Sequence, residues 1–175
     1  MAKENKVKIT ENDKKISRII TVDRVVKVTK GGRDFSYRAL VVVGNQEGVI
    51  GYGVGKSKDL SESVSKAEEN ALKNLLKLSF FQGSQKNSIP HEAEARYSGA
   101  RVFIMPASLG TGIIAGGTVR SVLEAAGLRN VFSKCKGSSN AHNVVKATFK
   151  ALLRMRDIKT LSKERGISLQ KLFKS

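Results

Sequence analysis

Residues 48–59 read GVIGYGVGKSKD, a glycine-spaced run ending in Gly-Lys-Ser just ahead of a helical pattern. Backbone amides in such a loop can cradle phosphate, so nucleotide binding is the first chemistry to test. The P-loop spacing G-x-x-x-x-G-K-[ST] fails: counting back from Gly55, Lys56 and Ser57 puts Ile50 where the first glycine belongs. No later apolar run ends in the aspartate that would hold magnesium. Gly51, Gly53 and Gly55 also miss the dinucleotide fingerprint, being spaced G-x-G-x-G. Alternate residues of an extended strand share a face, so these glycines form a face without side chains. Ile50, Tyr52 and Val54 take the other face and are the expected core side. Glycine in a strand marks close approach by another backbone. Two occupants fit: the chain's own next helix, or an RNA backbone attracted by Lys56, Lys58 and the helix N-terminus.

A second glycine loop, GTGIIAGG, matches the relaxed pattern G-x-G-x-x-A at Gly110, Gly112 and Ala115. The further β-α units of a dinucleotide domain are missing, and no acidic residue ends the next strand. Its amides are a candidate phosphate site with Arg120 in the first helical turn, although packing alone also accounts for the glycines.

The strongest electrostatic feature is residues 125–156, with seven Lys or Arg and no acid. Lys146, Lys150 and Arg154 recur every four residues beside the apolar set Val144, Thr148, Ala151 and Met155. Lys134 and Lys136 precede them. A solvated helix face normally mixes signs, so a one-sign stripe favours a polyanion. In KGSSNAHN, Ser138 and Ser139 suit a turn or N-cap better than a nucleophile's role. Ser138 and Asn140 are counted as candidate phosphate contacts.

Catalytic sets are missing. His91 and His142 fall in different expected units, and the carboxylates are scattered. Cys135 is the single cysteine, which rules out a disulfide framework and a multi-cysteine metal site. No catalytic residue, metal or cofactor is expected.

The whole composition points the same way. The 175 residues carry 32 Lys+Arg against 15 Asp+Glu, a formal charge of +17. Such an excess repels itself in a compact fold unless a partner supplies negative charge. No apolar run approaches the ~20 residues of a spanning helix. The start, MAKENKVKITENDKK, has no apolar stretch of a secretion signal and carries acids that organelle transit peptides avoid. A cytosolic, basic protein is expected.

The elements that must position these residues are short. Residues 1–14 are polar and aperiodic, a basic tail. From Ile16 the pattern is β, with Phe35, Tyr37, Ala39, Val41 and Val43 on one face and Arg38 on the other. KGGR is a Gly-Gly turn suited to a tight hairpin, whose tip carries Lys27, Lys30 and Arg33; these, with Arg24, Gly31 and Gly32, are expected RNA contacts. The strand GVIGYGVG follows. An amphipathic helix is then expected over 59–78, with Leu60, Val64, Ala67, Ala71, Leu75 and Leu78 in its stripe. Asp59 and Glu62 make a capping-box-like start. Meander plus helix gives a small α+β unit over 15–78. Residues 79–95 read as a connector. A β-α-β-α unit spans 96–157, with Gly127 placed as the αL cap of its first helix. A basic tail, 158–175, has helical potential around 168–173.

Several long motifs occur in one order: RVVKVTKGGRDFSYRALVVVGNQEGVIGYGVGK, IPHE, RVFIMPASLGTGIIAGGTVRSVLEAAG and KGSSNAHNVVKAT. Over about residues 15–155 the chain closely resembles the bacterial small-subunit ribosomal protein S five family. The resemblance implies an α+β protein of two domains. The first would be double-stranded-RNA-binding-like, a three-stranded antiparallel sheet plus helix; the second would be a two-layer β-α-β-α fold. It implies binding to small-subunit rRNA, support of assembly, body-head geometry and decoding accuracy, and a position near the point where messenger RNA enters. Ribosomal proteins S four and S eight would be its neighbours; a membrane or a homo-oligomer would not be expected. The hairpin near the spectinomycin site corresponds to Val25, Val26, Lys27 and the turn through Arg33. Asp34 stands where that family usually has a basic or apolar residue. Asn140-Ala141-His142 replaces the common Asn-Pro, which shifts the expected start of the last helix.

Overall fold

The computed structural model describes residues 15–82 and 88–167. The tail 1–14 and the helical potential at 168–173 lie outside these described residues. Two compact units are present. The first ends at Lys77 and also takes in Ser121–Gly127.

Three long strands open the first unit: β1 (Ile16–Thr29), β2 (Gly32–Gly44) and β3 (Val49–Ser57). The helix α1 (Leu60–Lys73) and a short β4 (Leu75–Lys77) follow, and the antiparallel sheet runs β1-β2-β3-β4. The sheet therefore has four strands rather than three, and the helix expected to reach residue 78 stops at Lys73. Leu75 continues the helical stripe in spacing, but Asn74 leaves the helix at φ −119° and ψ 44°, and Leu75 pairs with Gly51. Asparagine favours such ends because its side chain competes for backbone hydrogen bonds. The capping box is also absent: Asp59 is the N-cap but makes no side-chain cap bond.

Core packing in this unit sets Ala39, Val41 and Val43 of β2 against Ala67 and Ala71 of α1. The small alanines let the helix lie close to the sheet. In the β2–β3 turn, the Asn45 side-chain oxygen accepts from the amides of Glu47 (2.8 Å) and Val49 (3.1 Å). The Gln46 and Gly48 amides donate to the Ala125 and Ala126 carbonyls, both at 3.1 Å. Those helix-end carbonyls would otherwise lack partners. Gly127 adopts φ +88°, the left-handed cap expected of it.

The second unit holds a mixed sheet in the order β5-β6-β8-β7. Its strands are β5 (Ala93–Tyr97), β6 (Ala100–Pro106), β7 (Ile113–Ile114) and β8 (Val131–Gly137). The helix α2 (Gly117–Ala126) connects β7 to β8, and α3 (Ala141–Arg154) and α4 (Ile158–Arg165) close the described chain. β5 begins inside the stretch read as a connector. Its Ala and Glu residues are poor strand formers, which hides the alternation of Ala93, Ala95 and Tyr97. β7 lies parallel to β8 inside the glycine loop. α3 buries Val144, Val145, Ala147, Thr148, Phe149, Ala151 and Leu152 and packs on β5 and β6. Asn140 caps it, accepting from the His142 amide at 3.0 Å, so the helix starts cleanly without the proline.

Candidate nucleic-acid interface

The glycine strand resolves first. Gly51, Gly53 and Gly55 are buried, and α1 occupies the face they leave bare. A Cβ at Gly51 would meet the Ala71 carbonyl oxygen at 2.5 Å, one at Gly53 the Ala67 oxygen, and one at Gly55 the Ser63 oxygen, both at 2.2 Å. No RNA backbone can share that space, so these three positions are withdrawn as RNA contacts. The opposite face was expected to be the core side, yet Val54 is exposed and Tyr52 half-buried. Only Ile50 of that set is buried. Lys56 and Lys58 remain exposed at the end of β3 and before α1.

The second glycine loop is also spent internally. Gly110 and Gly112 take φ of +92° and +76°, and both amides donate to the side-chain oxygen of Asn130 at 3.1 Å. A buried carboxamide thus sits where a phosphate was expected. Those two amides are removed from the interface, while the Arg120 side chain is exposed in the first turn of α2.

The hairpin behaves differently. Thr29 pairs with Gly32 across the two-residue turn Lys30-Gly31, and the positive φ, +147°, falls on Gly32. Arg24, Lys27, Lys30, Gly31, Gly32 and Arg33 are all exposed. The Arg24 guanidinium lies 4.0 Å from the centre of the exposed Phe35 ring. Stacking of this kind holds the cation in place without neutralising it. Arg38, further from the tip, is neutralised by Asp23 at 2.9 Å.

In the second unit Lys134 and Lys136 project from β8 and are exposed. Lys146 donates to the Tyr97 hydroxyl at 3.3 Å, and its ammonium lies 4.9 Å from that ring's centre; Lys150 lies 6.0 Å from it. The helical stripe is therefore laid along β5. Ser138 accepts from the Asn140 amide at 3.3 Å, and Asn140 is the cap of α3, so both have structural employment. Among the described residues, Lys27, Lys30, Arg33, Lys56, Lys58, Lys134 and Lys136 have no carboxylate partner. Arg96 of β5 and Arg101 of β6, flanking the turn at Ser98 and Gly99, are further exposed cations outside the expected set; they face each other only once β5 pairs with β6.

His91 bridges rather than reacts: its Nε2 accepts from the Arg156 amide at 3.1 Å, which leaves Nδ1–H to donate to the Glu92 carbonyl at 2.7 Å. Burial raises the Cys135 thiol, with Lys134 opposing, so the sulfur stays protonated. No group of three potential metal ligands occurs among the described residues, and none of their helices is long and apolar enough to cross a membrane.

Fold and surface together define a strongly basic α+β protein whose cations are displayed on strands and a hairpin. "Ribosomal protein S5, N-terminal domain" matches residues 16–79, and "Ribosomal protein S5, C-terminal domain" matches residues 95–165. The chain belongs to the ribosomal protein S5 family. Small ribosomal subunit protein uS5 of Flavobacterium psychrophilum is 59% identical over 157 residues, covering 90% of this chain and 88% of the relative. The protein of that name from Bacteroides thetaiotaomicron is 49% identical over 97% of this chain and 96% of its own. The one from Acinetobacter baylyi is 44% identical over 94% and 98%.

Proposed function

We propose that this chain is a structural rRNA-binding protein of the small ribosomal subunit, working in the ribosome without catalytic turnover. It supports assembly, body-head geometry and decoding accuracy near the point where messenger RNA enters. Ribosomal proteins S four and S eight are its protein neighbours, and it acts as a single copy. The observation that carries this reading is the set of exposed cations with no carboxylate partner among the described residues, on the hairpin tip and on β8. A protein that needed these charges only for solubility would interleave acids among them. Family membership supplies the identity of the polyanion. The glycine loops are poor nucleotide cradles, since α1 occupies the bare face of the first and Asn130 takes the Gly110 and Gly112 amides of the second.

Binding by charge neutralisation makes affinity fall with salt, with a log–log slope of about −0.9 per duplex phosphate neutralised. Titration of the whole protein with a small-subunit rRNA transcript across a tenfold salt range measures that slope. A flat response would sink the electrostatic mechanism.

A further inference from the structure

The outer face of the second sheet carries cations abreast. Register sets Arg96 of β5 opposite Arg101 of β6, and Arg101 opposite Lys136 of β8. All three are exposed. Like charges directly opposite on neighbouring strands repel, so three in a row oppose sheet formation unless something neutralises them. Among the described residues, Glu94 is the acid that pairs with this row, and Arg101 holds it in an ion pair. Arg96 and Lys136 have no ion pair among the described residues; Arg96 Nε donates to the Ser98 carbonyl at 3.0 Å, which fixes its guanidinium. Arg154 of α3 reaches the β5 edge and donates to the Glu94 carbonyl at 3.2 Å. These side chains line a concavity of about 530 Å³.

We propose that this row, Arg96, Arg101 and Lys136 with Arg154 at its edge, is a phosphate-backbone site for structured RNA in its own right, apart from the hairpin tip and built around the β8 cation Lys136. The proposal rests on the reading that the protein binds rRNA. Strands are spaced about 4.8 Å apart, so the row extends about 10 Å and suits a run of phosphates better than a single small anion. Guanidinium groups present planar forks that match phosphate oxygens. Phe103 and Phe132 lie on the same face, beside Lys134 in the next rows of the register. Phe103 is half-buried opposite Lys134 and Phe132 is exposed one row on; such rings give bases a stacking surface, a feature an acidic peptide would not require.

The test uses the whole protein with Arg96→Gln and Lys136→Gln combined, bound to a small-subunit rRNA transcript. Removing two phosphate contacts lowers the salt slope by about 1.8, equivalent to an affinity loss on the order of 60-fold at 0.1 M salt. The melting temperature stays level or rises, since the row's repulsion is relieved. If the double variant melts early, Lys136→Gln alone is used, with a slope change of about 0.9. Wild-type slope and affinity in a folded variant overturn the site while leaving the rRNA reading intact. A flat salt response by the wild-type protein sinks that reading itself. Poly-glutamate is the control ligand: if the variant loses it and keeps RNA, the row binds an acidic protein segment and the proposal fails.

Discussion

A Cβ built on Gly53 would stand 2.2 Å from the carbonyl oxygen of Ala67, and 2.4 Å from the Ala71 nitrogen. Both are helix backbone, which cannot turn aside as a side chain can. Gly53→Ala must therefore push α1 off the sheet or bend β3, and it loosens the Ala39, Val41 and Val43 core that the helix covers. The expected destabilisation is about 3 kcal/mol, at the upper end for overpacking. Denaturant midpoints check it, with Gly31→Ala as the control, because nothing lies within 4 Å of a Cβ there. Equal stability of the two variants would mean that α1 does not seal the glycine face.

Asn130 offers a second test. Its side-chain oxygen takes the amides of both Gly110 and Gly112. Asn130→Ala leaves two donors to find water, at a cost of about 1–2 kcal/mol given the loop's partial exposure. Amide hydrogen exchange at Gly110 and Gly112 should accelerate by roughly tenfold or more. Unchanged exchange at both would show that another group holds the loop.

Glu62 gives the protein an acid-side pH response. The hydrogen bond from Lys66 holds its carboxyl below the ordinary value, aided by a hydrogen bond from Ser57 and by the Lys66 charge. A lowered folded-state value means the contribution is present above the unfolded value and lost as pH falls through the folded one. Wild type and Glu62→Gln should therefore differ in melting temperature near neutrality and converge as pH drops below the ordinary carboxylate range. A constant gap down to strongly acid pH would contradict this sign. The effect is small, since the pair lies on an exposed helix surface.

Alternation revealed the long hairpin and β3, because their valines and aromatics carry a clear period of two. Periodicity also found α1 and α3, but it could not end α1: Leu75 keeps the helical spacing while belonging to β4. Glycine spacing announced a close approach on Gly51, Gly53 and Gly55 without saying by what. That answer depends on which side of the sheet α1 crosses, a tertiary fact with no local signature. The role of Asn130 was equally silent, since it lies 18 and 20 residues from the amides it satisfies. The charge stripe of α3 was legible; its attachment to Tyr97 was not, because β5 is written in alanine, glutamate and arginine.

The hairpin tip is where charge can be changed without touching the fold. Lys30, Gly31 and Arg33 are exposed, and the tip lies beyond the buried stretch of β2 that starts at Ala39. Across the turn, Thr29 holds the Gly32 carbonyl at 3.1 Å through its hydroxyl, a bond that needs neither cation. Lys30→Glu with Arg33→Glu should therefore shift the folding midpoint by less than about 0.5 kcal/mol, as surface changes do. Its effect on RNA should be large, because each reversal removes one neutralised phosphate and adds a repulsive charge. The salt slope on the rRNA transcript should fall by about 2, and incorporation into small subunits during reconstitution should drop. Normal incorporation at wild-type slope would remove the hairpin from the interface and leave the cations of β3 and β8 to carry it. If the hairpin and the Arg96/Lys136 row act as separate sites, combining both double variants should reduce the slope by the sum of the two decrements. A smaller combined loss would mean that one stretch of RNA backbone couples them.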